Sequence, residues 1–77
     1  MSRTIQDADF LEWEVFASAA VSGFADHSQV VFNCLSNRWL RPRAVELEGD
    51  VADAERLVVD GSSVELLEMF RQAKPIN

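Results

Sequence analysis

Along the first half of the chain, apolar and polar positions alternate with a period of two. In residues 10–18, FLEWEVFAS, Leu11, Trp13, Val15 and Ala17 fall on one side and Glu12 and Glu14 on the other, with Phe16 the only exception. A helical wheel at about 100° per residue fits worse, because it sets Glu14 between Phe10 and Leu11. The alternation and the Trp, Val and Phe content predict a strand. Residues 29–35, QVVFNCL, put Val30, Phe32 and Cys34 on one face if extended. Their β-branched and aromatic content favours the strand over a narrow helical stripe of Val30, Val31, Cys34 and Leu35. A third short strand follows Pro42, where Val45 and Leu47 alternate with Ala44, Glu46 and Glu48, and Gly49-Asp50 ends it. Residues 19–28, with Ser22, Gly23, Asp26 and Ser28, read as a connection.

The period then changes. Val51, Ala54, Leu57 and Val58 recur at helical spacing behind Asp50, an N-cap residue type, and Gly61 stands where a helix-ending C′ glycine is expected. Ser62 with Glu65 has the spacing of a capping box. Leu66, Leu67, Phe70 and Ala73 form the buried stripe of a second helix, with Glu68 and Arg71 as a surface i,i+3 pair. The fold expected is α+β: a small three-stranded antiparallel sheet followed by two C-terminal helices. If residues 10–20 and 28–39 were helical instead, the alternative would be a small four-helix bundle. Residues 1–9 read as a flexible N-terminus and 10–77 as one small globular domain.

Size and charge narrow the function classes. The chain has 77 residues, 48% apolar and 26% charged, a composition too apolar for a disordered tail. Below roughly 80 residues a core rarely supplies more than about 3–5 kcal/mol net without a staple. One cysteine, Cys34, and one histidine, His27, allow neither an internal disulfide nor a Cys/His zinc site. Tight packing or association with a partner is the remedy left, and a homodimer is one such association. No apolar leader and no membrane-spanning run occur, so the expectation is a cytoplasmic protein without a membrane role and without a cofactor.

Seven Lys and Arg against 13 Asp and Glu leave a net charge of −6, which disfavours non-specific binding to nucleic acid. The charge is segregated. Two acidic clusters, Asp7 to Glu14 and Glu46 to Asp60, flank the only basic one, Arg38, Arg41 and Arg43. With Trp39 between them, these arginines are the candidate partner- or anion-binding residues. Guanidinium forks take carboxylate or phosphate bidentately, and an indole stacks on a base or packs against a peptide. The plainer alternative is that they pair with Glu12, Glu14, Glu46 or Glu48 across the sheet while Trp39 covers the core edge.

No catalytic or metal-ligating set emerges. Glu12 and Glu14, roughly 7 Å apart on one strand face, have a spacing used by inverting glycosidases, but the chain is too short for a sugar cleft. Asp26, His27 and Ser28 are consecutive, and their side chains diverge rather than form a triad. Cys34 sits in an apolar run without a cationic neighbour to activate it. The expectation is therefore a small non-catalytic protein-interaction or regulatory module, acting on a protein partner or on itself. Nucleic-acid or phosphate-ligand binding through the Arg38–Arg43 loop is the alternative.

Overall fold

The computed structural model describes residues 2–19 and 27–76. Strands β1 (Ser2–Gln6), β2 (Glu12–Ala19), β3 (His27–Cys34) and β4 (Arg43–Glu48) lead into helices α1 (Val51–Asp60) and α2 (Ser63–Gln72), and β5 (Lys74–Pro75) follows. All pairings are antiparallel, in the order β1-β2-β3-β4-β5. The class is α+β as expected, but the sheet has five strands among the described residues, not three. The added strands are β1, inside the segment 1–9, and the two-residue β5. The four-helix alternative fails because residues 12–19 and 27–34 pair edge to edge, Trp13 opposite Cys34 through Ala19 opposite Ser28.

Period two sorts the strands. Arg3, Ile5, Trp13, Val15, Ala17, Ser28, Val30, Phe32, Cys34, Arg43, Val45 and Leu47 share the inner face, as the register requires. Both helices cover this face. α1 lies over β2 and β3, and α2 reaches β1 and β4. Trp13, Val15, Val30 and Phe32 are buried against Ala54, Val58, Leu66 and Phe70. Phe70 packs on the Trp13 ring at 4.8 Å between centroids and edge-on to Phe32 at 5.5 Å. The outer face carries Glu12, Glu14, Glu46 and Glu48. Val31 is buried there, a second exception to the polar face beside Phe16. Cys34 is a buried free thiol on the inner face.

The helix ends follow the local chemistry. The Asp50 carboxylate accepts from the Asp53 amide, and Ser62 and Glu65 form the reciprocal capping box. Gly61 corrects one expectation: its φ of −67° is not left-handed. It is glycine for want of space, because a Cβ there would stand 2.5 Å from the Leu57 carbonyl oxygen. Arg3 spans the layers at the same corner, donating to the Gly61 carbonyl and, at 3.3 Å, to that of Val58. These bonds satisfy helix-end carbonyls and hold an inward-facing charge in place.

Ser28, expected in a surface turn, is instead buried in β3, because its register places it on the inner face opposite Leu47. Residues 20–26, including Asp26 and the Ser22-Gly23 connection, lie outside the described residues. No helix among the described residues is long and apolar enough to cross a membrane.

Candidate functional site

The β1–β2 turn, the β3–β4 loop and the C-terminal half of α2 meet at one end of the sheet. Between them lies a groove of about 590 Å³ lined by Leu11, Trp13, Leu40, Arg43, Leu67 and Phe70, with Asp7, Asp9 and Arg71 also on its walls. Its floor is the aromatic end of the core and its margins are loops.

Asp7 organises the first margin. Its backbone N–H donates to the Leu11 carbonyl at 3.0 Å, closing a hairpin over residues 8–10. Its carboxylate accepts from the amides of Asp9 (2.8 Å) and Leu11 (3.0 Å) and from the Trp13 indole N–H (2.9 Å). Partial burial pushes this carboxyl upward. The bonds from Trp13, Leu11 and Asp9 and the charge of Arg43 outweigh that, leaving it below its ordinary value.

A three-residue hairpin loop ends in a left-handed residue, normally glycine. Here that residue is Phe10, at φ 64°. Gln6 clamps it by donating from Nε2 to the Phe10 carbonyl at 3.2 Å. Phe10 is 78% exposed, so packing does not account for its being there. Nothing in composition singled it out. The signal would have been its place three residues after Asp7 in a tight hairpin.

The second margin is the β3–β4 loop. The Asn37 side chain accepts from the Trp39 amide at 3.0 Å and the Asn37 carbonyl accepts from Leu40 at 3.1 Å. This turn leaves Trp39 84% exposed and Leu35 54% exposed.

The four sequence candidates separate here. Arg38 and Trp39 are together on the loop, with the guanidinium 5.7 Å from the ring centroid. Arg41 is exposed on the same loop and has an interaction of its own. Arg43 is in β4, opposite Phe32, and therefore points to the inner face. Its guanidinium lies 4.9 Å from the Phe70 centroid and 5.7 Å from that of Trp13. Glu12, Glu14, Glu46 and Glu48 are on the opposite face of the sheet, so cross-sheet pairing does not hold Arg43. Trp39 does not cover the core edge; Trp13 and Phe70 do.

Chemically the site offers a groove of mixed apolar and charged lining that includes the guanidinium groups of Arg43 and Arg71, and two exposed aromatic rings on the neighbouring loops. Among the described residues no group of three His, Cys, Asp or Glu could hold a metal ion. No protein-family model, curated protein or solved structure matches the chain.

Proposed function

We propose that this chain is a small non-catalytic protein-interaction module, regulatory in the sense that its work is done by binding, and that it engages its partner with the loop end of the sheet. The observation that carries this reading is Phe10. A bulky residue in a left-handed position costs roughly 1–2 kcal/mol relative to an ordinary conformation, and its ring contributes little to the core at 78% exposure. Residues kept against local stability with their apolar surface in water point to a contact made elsewhere. Trp39, the other exposed ring, is next in sequence to Leu40, which lines the groove.

The partner chemistry follows from the lining. Leu11, Leu40 and Leu67 suit a large apolar side chain, and Arg43 and Arg71, the cations of the lining, suit a carboxylate beside it. A protein segment with an Asp or Glu next to a Leu, Ile or aromatic residue is the occupant we infer. The lone thiol, with no disulfide, suits a reducing compartment, and we place the work of the module in the cytoplasm.

A random-peptide display library, panned on the purified chain, tests this. The expected consensus pairs a carboxylate with a large apolar residue and is lost when Phe10 and Trp39 are replaced by glycine and alanine. A consensus indifferent to both substitutions would remove the reading.

A second reading has one observation of its own: Trp39 carries Arg38 beside an exposed ring, the pairing that single-stranded nucleic acid uses. Only Arg38 and Arg41 remain on the loop to meet phosphates, since Arg43 is turned into the groove. Quenching of Trp39 fluorescence by single-stranded RNA at low salt, weakened steeply by added salt, would favour it.

A further inference from the structure

The two edges of the sheet are built differently. On the far edge, β5 is two residues long and contains Lys74 and Pro75, and β4 runs past it with Glu46 and Glu48 on the outer face. Charge, proline and shortness are how proteins keep an edge from pairing with another chain. The near edge, β1, has no proline and is not short, and its one charge, inward-pointing and so itself a device of this kind, is already satisfied within the fold. It is five residues long, SRTIQ, and its outer-face residues Ser2, Thr4 and Gln6 are uncharged. Its single charge, Arg3, faces inward and is bonded to the Gly61 and Val58 carbonyls.

The hydrogen-bond phase of this edge is fixed by the hairpin. Because the Asp7 amide donates to Leu11, Ile5 and Arg3 also point their N–H and C=O groups at β2, and Ser2, Thr4 and Gln6 point theirs away from the sheet. We infer that β1 pairs antiparallel with β1 of a second copy, making a twofold dimer with one continuous ten-stranded sheet.

The even spacing of the outward residues lets the twofold axis pass through Thr4. Thr4 then faces the second copy's Thr4, exchanging two backbone hydrogen bonds, and Ser2 faces the second copy's Gln6. These are neutral side-chain pairs that hydrogen-bond across strands. A second copy is the occupant because the strip complements itself and is neutral on an otherwise acidic molecule. The same pairing along β4 would set Glu46 and Glu48 against their own copies, which like charge opposes. The nearest outer-face carboxylates, Glu14 on each copy, are three strand spacings apart, roughly 14 Å, well beyond the screening length of about 8 Å at physiological salt. Association also supplies the buried area that a chain of this size lacks.

The test is sedimentation equilibrium of the full chain over micromolar to millimolar concentration, with amide exchange followed by NMR. The expected mass is twice 8.6 kDa at the upper end. The Thr4 and Gln6 amides gain protection with concentration, while those of Arg3 and Ile5 are protected throughout. Thr4→Pro removes an outward N–H that β2 does not use. It weakens the dimer about 30-fold or more, because symmetry deletes two hydrogen bonds at once. Thr4→Val keeps the backbone donor and keeps the dimer. A monomer at every concentration, with Thr4 and Gln6 exchanging freely, overturns the inference. So does a dimer that Thr4→Pro leaves intact. The edge meets the groove only at Gln6, which lines it and holds Phe10, so the substitutions are made at Thr4, which does not line the groove, and neither result decides the groove reading.

Discussion

Replacing Phe10 separates the cost of its backbone from the value of its ring. Phe10→Gly relieves a left-handed conformation that costs a side-chain-bearing residue roughly 1–2 kcal/mol. Against this, glycine adds unfolded-state freedom of about 0.4–1 kcal/mol. With 78% of the residue already exposed, the ring gives up only about a fifth of the roughly 1.5–3 kcal/mol that full burial would supply. The sum runs from about 0.6 kcal/mol of lost stability to about 1.3 kcal/mol of added stability. Phe10→Ala is the control, because alanine loses the same ring but keeps a Cβ in the left-handed position. Alanine is then the less stable of the two by about 0.5–1 kcal/mol, which for a domain of this size separates the two melting temperatures by roughly 2–8 °C. Urea melts of both variants, followed by the fluorescence of buried Trp13, measure it. If Phe10→Ala is as stable as Phe10→Gly, position 10 carries no conformational cost and the case for a retained binding residue falls.

Three further outcomes follow from the same geometry. Arg43→Met keeps the aliphatic stem but loses the charge over Trp13 and Phe70, so it costs about 1 kcal/mol in a urea melt, whereas Arg38→Met is neutral because its ring partner is itself in water. Asp7→Asn removes a carboxylate held below its ordinary value. A depressed carboxyl stabilises the fold above the usual carboxylate range and ceases to do so as pH falls through its folded value. The gap between wild type and Asp7→Asn is thus full at neutral pH and closes in acid below about pH 4, as thermal melts across a pH series will show. Gly61→Ala drives a Cβ to 2.5 Å from the Leu57 carbonyl oxygen and also disturbs the Arg3 bond, costing about 1–3 kcal/mol by the same melts.

What was legible in the sequence was local. Asp50, Ser62 and Glu65 bond within their own turn, so the helix starts are written in short motifs. β2, β3 and β4 could be read because their faces alternate with large apolar side chains. β1 hides because Ile5 is its only large apolar residue and its other inward residue is an arginine satisfied by carbonyls 55 and 58 positions away. β5 hides because Pro75 reads as a stop. It is tolerated there because the Ile76 amide, donating to the Pro42 carbonyl at 2.8 Å, puts the register in a phase where residue 75 needs no N–H. The groove assembles Trp13, Arg43 and Phe70 from three distant elements. The arginine cluster was therefore visible as composition, but its division, with Arg38 and Arg41 on the loop and Arg43 over the aromatic floor, depended on which side of β4 residue 43 takes.

The most direct test of the interaction site is comparative affinity capture from nuclease-treated extract of the source cells. Wild type would be run beside the Phe10→Gly, Trp39→Ala double variant, matched for thermal stability. The account predicts at least one protein retained by the wild type and lost by the variant, and recovered again in a direct binding assay with the purified pair. The same proteins on both baits, or none that depends on the two rings, would contradict it.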